Sequence, residues 1–163
     1  MGGVRRDAEQ RPARGTHCGT DRRLCPRGSA VALTLVLDAS AVVAYLLRGD
    51  RGKAVGRLLA ESGEPPWTVP LVDAEVGHAL RGMVMRKALA PGRASRALDA
   101  LALMRLVRTG HMHLMDEAWQ LRNNLSFYDA LYVALAGKID ATLVTLDTRL
   151  ASAPKLPAKV VVP

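Results

Sequence analysis

Residues 127–151 constrain the fold most, because a helix and a buried strand follow each other there, each with a carboxylate at a defined end. Asp129 stands at the start of the helix, and apolar residues recur on one helical face behind it. That face consists of Tyr128, Leu131, Tyr132, Ala134, Leu135 and Ala136. The run at 141–146 is apolar and contains β-branched residues, which indicates a buried strand. Asp147 follows directly, and open α/β sheets bind ligands beyond the carboxyl ends of their strands.

The same alternation of strands and helices runs along the rest of the chain. The Leu-rich and β-branched run at 31–37 predicts a fully buried strand in the centre of a sheet. Further strands are predicted at 67–69, 111–114, 141–146 and 155–162, the last at an edge, and helices at 39–47, 51–61, 71–87, 95–107, 115–123 and 127–138. Such alternation is typical of a parallel sheet covered by helices on both faces. The predicted fold class is therefore α/β, with three layers in the order α/β/α.

Hydrophobic periodicity and charge divide the chain into a short first segment and a longer second one. Its 163 residues suffice for one domain, and a 49% hydrophobic content with a single Phe predicts an aliphatic core. Residues 1–30 have a net charge of +4 and no hydrophobic periodicity, which predicts a disordered basic leader before a domain at 31–163. The domain also has a net charge of +4, which is compatible with a polyanionic partner and equally with an ordinary soluble surface.

A secretory signal is an alternative interpretation of the junction between the two segments. Two arginines at 22–23, the apolar run at 30–37 and the small residues at 39–41 imitate such a signal, but the run is short and Asp38 interrupts it. The same carboxylate makes residues 31–47 unsuitable as a membrane span.

Both cysteines, Cys18 and Cys25, lie in the leader. Together with His17 they offer three metal ligands, and no fourth ligand is evident. A secreted disulfide scaffold would place cysteines inside the domain, so we expect a cytoplasmic protein without a membrane partner.

Four carboxylates are predicted to meet at one edge of the sheet. Asp38 and Asp147 each follow an apolar strand, Asp129 opens a helix, and Glu75 lies in the first turns of another helix. Four carboxylates gathered there raise one another's pKa, and a divalent cation removes that conflict. Carboxylates are ligands that suit Mg²⁺ or Mn²⁺, which activate water and stabilise charge during attack on a phosphodiester.

Four motifs, in this order and spacing, resemble those of the PIN-domain nucleases, and most of all the VapC ribonuclease toxins of toxin–antitoxin modules. They are residues 35–41 (LVLDASA), 69–76 (VPLVDAEV), 126–136 (SFYDALYVALA) and 143–150 (LVTLDTRL). The resemblance covers about residues 33–162. It implies a sandwiched parallel sheet of five strands, RNA cleavage dependent on Mg²⁺ or Mn²⁺, a homodimer, and neutralisation by a cognate VapB-type antitoxin encoded beside it.

The resemblance also assigns roles to individual residues. Asp38, Glu75, Asp129 and Asp147 match the metal-binding acids of the family, and Ser40 and Thr145 match hydroxyl positions that support the site. The long leader departs from the pattern, because such toxins begin a few residues before the first strand. Val31 is therefore an alternative initiation residue if its codon allows it.

A second function remains open, namely a catalytically silent PIN-like module that binds RNA or protein and whose acids only cap helices. Several nearby residues have ordinary interpretations as well. Asp73 is expected to point away from Glu75 into solvent, and His78 either lines the cleft or forms half of an E-x-x-H motif without a second copy. Two histidines at 111 and 113 lack a third ligand for a metal. The basic side chains Arg81, Arg86, Lys87, Arg93 and Arg96 either contact phosphates or form a solvated helix face.

Overall fold

The structure, a computed structural model, describes residues 33–163. Its strands are β1 (Leu35–Leu37), β2 (Trp67–Thr68), β3 (Val107–Arg108), β4 (Thr142–Val144) and β5 (Lys159–Val161). Its α-helices are α1 (Ala39–Leu47), α2 (Asp50–Ser62), α3 (Leu71–Met85), α4 (Pro91–Leu103), α5 (Met115–Gln120), α6 (Phe127–Lys138) and α7 (Thr148–Ala151). The predicted leader and its cysteines lie outside the described residues, so the division at residue 30 stays a prediction.

All five strands are parallel, in the order β3-β2-β1-β4-β5. This confirms the predicted α/β class, the central position of the first strand and the edge position of the last one. The three residues of β1 are at most 1% exposed, because the sheet is covered on both faces and every side chain of its central strand is in the core. The register pairs Leu37 with Val144, so the residues that follow β1 and β4 lie side by side.

The helices form two groups around this sheet. Helices α1 to α4 pack on one another, while α5 packs on α6 and α6 packs on β1 and β4. The seven central residues of α6, 130–136, are all buried, which is unusual for a helix of twelve residues and shows that α6 is enclosed on several sides. Among residues 33–163, no helix has both the length and the apolar composition that crossing a bilayer requires.

The segment between α4 and α5 differs from the sequence prediction. The helix predicted at 95–107 begins at Pro91 and ends at Leu103, and the next strand is Val107–Arg108. The strand predicted at 111–114 is instead a 3₁₀ turn, Met112–Leu114. Apolar residues continue at 104 and 106 beyond the helix, so the hydrophobic period alone does not mark its end. Leu98, inside α4, is 43% exposed although it belongs to the same apolar period.

The crossing of α1 and α2 depends on Gly52. A Cβ atom at this position would lie 2.1 Å from the carbonyl oxygen of Ala44, far inside van der Waals contact. We therefore expect Gly52→Ala to separate the two helices and to lower the free energy of unfolding by about 1–3 kcal/mol, despite the better helix propensity of Ala. Thermal or urea unfolding measures the change.

Two other glycines in helices serve as controls. At Gly77 an added Cβ meets no atom within 4 Å, and at Gly56 it meets the Tyr45 ring at an ordinary 3.5 Å. Ala at Gly77 is expected to stabilise the protein by up to about 1 kcal/mol. Equal effects of Ala at positions 52 and 77 would contradict the close approach of α1 and α2.

Candidate active site

The structure brings the four predicted carboxylates to a single cleft of about 990 Å³. Asp38 directly follows β1 and caps α1. The strand predicted at 141–146 ends at Val144, so Asp147 lies three residues beyond β4, where it caps the short helix α7. Glu75 lies in the second turn of α3, and Asp129 is the third residue of α6. Because the strands are parallel and β1 is paired with β4, both strand-end aspartates emerge at the same edge of the sheet.

Asp38 is 6% exposed, and both of its carboxylate oxygens accept hydrogen bonds. Oδ1 accepts from the Ser40 hydroxyl at 2.7 Å and from the backbone N–H of Ala41 at 2.8 Å. Oδ2 accepts from the Thr145 hydroxyl at 2.5 Å. The helix cap and the two hydroxyl donors hold the carboxylate in one orientation, and Oδ2, with a single donor, still has a lone pair for another partner.

Ser40 and Thr145 connect the ends of β1 and β4. The Ser40 hydroxyl accepts from the backbone N–H of Leu146 at 2.7 Å, and the Thr145 hydroxyl accepts from the backbone N–H of Asp147 at 3.0 Å. Each hydroxyl therefore donates to Asp38 and accepts from the loop that carries Asp147. This cross-strand network fixes the position of Asp147 relative to Asp38, which fits the supporting role expected of both hydroxyl residues.

Tyr132 is a contact residue of the site that the sequence analysis missed. Its hydroxyl donates to Glu75 Oε2 at 2.5 Å, and its ring is 1% exposed. The helical face was interpreted as purely apolar, but Tyr132 follows Asp129 by three residues and so lies on the same side of α6. A buried Tyr hydroxyl ordinarily has a hydrogen-bond partner, which is the signal that the sequence offered. Tyr128, predicted on the same apolar face, is instead 60% exposed and lines the cleft.

Asp129 and Asp147 have only local partners. The Ser126 hydroxyl donates to Asp129 Oδ2 at 2.7 Å and accepts from the Asp129 N–H at 3.2 Å. Asp147 Oδ1 accepts from the N–H groups of Arg149 and Leu150 at 2.8 and 3.4 Å. Both carboxylates are partly exposed, so each has an oxygen available to a ligand in the cleft.

Burial raises the pKa of two of the four carboxyl groups. For Asp38, the loss of hydration outweighs the hydrogen bonds from Thr145, Ala41 and Ser40, which lower its pKa, and the charge of Asp129 raises it further. Burial also raises the pKa of Glu75, against the lowering effect of the Tyr132 hydroxyl, and the charges of Asp129 and Asp38 add to the rise. The pKa of the Tyr132 hydroxyl is likewise raised, first by burial and then by Glu75, so Tyr132 remains a donor at neutral pH. Among the described residues, four carboxylic acids and one arginine line the cleft, so acidic groups outnumber basic ones there.

The side chains do not form a ready-made metal site. Within residues 33–163, no three His, Cys, Asp or Glu side chains are grouped closely enough to share one ion. Each of the four carboxylates instead accepts hydrogen bonds from protein groups. The oxygen atoms that line the cleft nevertheless belong to carboxylates and hydroxyls, which are ligands that Mg²⁺ and Mn²⁺ prefer.

The residues around the four carboxylates differ in whether their side chains line the cleft. His78 and Arg86 line the cleft. Asp73 points away from it, as predicted, but forms a two-pronged ion pair with Arg108 at 2.8 and 2.9 Å rather than standing alone in solvent. Asp116 lies inside the first turn of α5 and makes no cap hydrogen bond.

Comparisons with known proteins agree with the fold and the motifs. The family model of the PIN domain matches residues 35–156. Ribonuclease VapC1 of Mycobacterium tuberculosis is 46% identical over 128 residues, which are 77% of this chain and 94% of the relative. Ribonuclease VapC9 of the same species is 39% identical over 116 residues, which are 71% of this chain and 87% of the relative.

A solved structure supports the fold independently. The crystal structure of VapC20 of Mycobacterium tuberculosis, described as a sarcin-ricin loop cleaving toxin, matches with a TM-score of 0.57. The match covers 73% of this chain and 94% of that one, and at 18% identity it concerns the fold alone. The family model and the identity to the curated relatives carry the assignment further: the chain belongs to the PIN-domain family and, within it, to the VapC group.

Proposed function

We propose that the chain is the toxin of a type II toxin–antitoxin module, an endoribonuclease that hydrolyses RNA phosphodiester bonds with the help of Mg²⁺ or Mn²⁺. The observation that carries this proposal is the meeting of Asp38, Glu75, Asp129 and Asp147 at one cleft, in a chain whose relatives are named ribonucleases. Burial of two of these carboxylates is costly unless a cation compensates their charge.

The donor set fits a hydrated divalent ion. Mg²⁺ keeps several waters and takes only one or two carboxylates directly, so a shared site does not need three side chains in contact. Asp38 and Asp129 are the proposed direct ligands, and Glu75 and Asp147 are proposed to complete the site directly or through water. When bound, the ion would lower the pKa of a water and stabilise the charge that develops on the phosphate.

Hydroxyl side chains around the site orient the carboxylates. Ser40 and Thr145 hold Asp38, Tyr132 holds Glu75, and Ser126 holds Asp129, all through hydrogen bonds of 2.5 to 2.7 Å. Carboxylates that are held before substrate arrives need little reorganisation when the phosphate becomes more negative, and this preorganisation favours the transition state. Contacts between elements, such as those from Thr145 to Asp38 and from Tyr132 to Glu75, go beyond helix capping and support the proposal over a catalytically silent module.

The proposal includes partners and location. Membership of the VapC group supports a VapB-type antitoxin as partner, and we further propose a homodimer that acts on RNA in the cytoplasm.

The direct test is incubation of total cellular RNA with purified, antitoxin-free protein in Mg²⁺, in Mn²⁺ and in EDTA. We expect discrete fragments with either ion and none in EDTA, because the excess carboxylate charge in the cleft then lacks a counter-ion. The fragment ends identify the RNA target. Metal-independent binding of RNA without cleavage, by protein whose fold is verified, would favour the silent module instead.

A further inference from the structure

Arg86 differs from the other basic residues around α3. It lines the cleft that holds the four carboxylates, and within residues 33–163 it is the one Arg or Lys side chain that does. Arg86 caps the C-terminus of α3, and Arg81 lies inside that helix. Both side chains are exposed, but Arg81 does not line the cleft. The structure therefore separates Arg86 from the group of basic side chains that the sequence left undivided.

The Arg86 side chain folds back along α3 across Gly82. A Cβ atom on Gly82 would lie 3.0 Å from Arg86 Nη1, so the guanidinium occupies the space that a side chain at position 82 would take. Gly82 thus leaves open the space along α3 in which the guanidinium lies. The guanidinium lies on the face of α3 that also carries Glu75 and His78.

The guanidinium has no carboxylate partner in the described part of the chain. The ion pairs among residues 33–163 involve Lys53, Arg108, Lys138 and Arg149, and none involves Arg86. Its planar set of N–H donors, which matches two phosphate oxygens at once, is therefore free to bind a ligand.

The distance along α3 decides which phosphate this group can reach. Gly82 follows Glu75 by seven positions, which corresponds to roughly 10 Å along the helix axis. A phosphate at the carboxylate cluster is too far away for a direct hydrogen bond to a guanidinium near Gly82. A neighbouring phosphate of the same RNA strand, displaced toward the C-terminus of α3, would be close enough for this hydrogen bond.

We propose that Arg86 binds an RNA backbone phosphate next to the scissile one, so that the strand runs along α3 from Glu75 toward Arg86. This inference rests on the proposed ribonuclease function and adds a positioning residue to it. The contact carries no base specificity, because it is made to the sugar–phosphate backbone.

The test is RNA binding by the full chain carrying Asp129→Asn, with Mg²⁺ present, so that the bound strand is not cut. Arg86→Gln in this background is expected to weaken binding of a single-stranded oligoribonucleotide about tenfold. It should also reduce the slope of log K against log salt concentration by about 0.7, the value for one phosphate contact on a single strand. Arg81→Gln is the matched control and should change neither quantity by a comparable amount.

Neutral methylphosphonates placed singly along the oligonucleotide locate the contact. One substitution beside the cleavage point should weaken binding to the protein with Arg86 and have no further effect on Arg86→Gln, since both changes remove the same interaction. Equal effects in both proteins at every position, or equal losses in Arg86→Gln and Arg81→Gln, would overturn the inference while leaving the nuclease intact. Absence of both RNA binding and cleavage in the wild-type chain would overturn the proposed function together with it.

Discussion

The Asp129→Asn variant is expected to lose RNA cleavage by at least about 10²-fold while keeping its fold. Asn has nearly the same size, the side chain at 129 is only partly buried, and its amide oxygen can still accept from Ser126. What the variant lacks is one negative charge at the place where the proposed cation and the scissile phosphate meet. Loss of a single preorganised electrostatic group commonly costs 10²–10³ in rate.

Asp129 gives a cleaner test than Asp38. The Asp38 carboxylate accepts three hydrogen bonds inside the protein, and an amide nitrogen at one of those positions would leave the donors of Thr145 or Ser40 unpaired. Asp38→Asn is therefore also expected to abolish cleavage, but with some loss of stability.

Single-turnover cleavage of a defined RNA, with thermal unfolding of the same preparations, measures both quantities for Asp129→Asn. Asp116→Asn is a matched control, because Asp116 is an exposed acid in the first turn of α5 just as Asp129 is an acid in the first turn of α6. Cleavage by Asp129→Asn at the rate of the Asp116→Asn control would exclude a catalytic role for this carboxylate.

The sequence predicted the positions of the four acids because strand ends and helix starts are local features. Apolar runs at 35–37 and 142–144 mark buried strands, and parallel pairing carries the segments that follow them, with Asp38 and Asp147, to one edge. The hydrogen bond from Thr145 to Asp38 depends instead on register, since Leu37 must pair with Val144 for the two side chains to meet. Without the family resemblance, hydrophobic pattern alone would not have given that register.

Contacts between helices that are distant in the sequence could not be predicted either, because local patterns do not determine which helices meet. Tyr132 and Glu75 are 57 residues apart and meet only because α3 and α6 both border the cleft.

The sequence analysis missed strand β3 for a different reason, namely its length. Its two residues pair with β2 at the edge of the sheet, and so short a segment has no period of its own to distinguish it from the end of α4.

Adding Mn²⁺ or Mg²⁺ is expected to raise the melting temperature of the wild-type protein. A ligand that binds only the folded state stabilises it by about 2.7 kcal/mol at a concentration of 100 Kd. For a chain of this size the increase is about 5–10 °C. Glu75→Gln should reduce the effect and Asp129→Asn should nearly remove it, because each takes one negative charge from the proposed site.

The pH dependence of this stabilisation follows from the raised pKa values of Asp38 and Glu75. A carboxyl group whose pKa is higher in the folded protein than in the unfolded chain contributes stability at pH values below the unfolded pKa. That contribution is lost as pH rises through the folded pKa. Without metal, Glu75→Gln should therefore become progressively more stable than the wild type as pH rises from the acid range to neutrality. With metal the order reverses at neutral pH, and the benefit fades as acid protonates the ligands.

Thermal unfolding between pH 4 and pH 8, with EDTA or with Mn²⁺, separates stabilisation by the bound metal from the effect of the raised carboxyl pKa values. The Asp116→Asn variant again controls for loss of a surface charge. An increase in melting temperature that is the same in the wild type, Glu75→Gln and Asp129→Asn would place the bound ion outside the cleft. A metal-free wild type that gains stability from acid pH to neutrality relative to Glu75→Gln would contradict the raised pKa of that carboxyl group. The expected pattern, a site that destabilises the metal-free protein and stabilises the loaded one, is what a carboxylate cluster built for a cation should show.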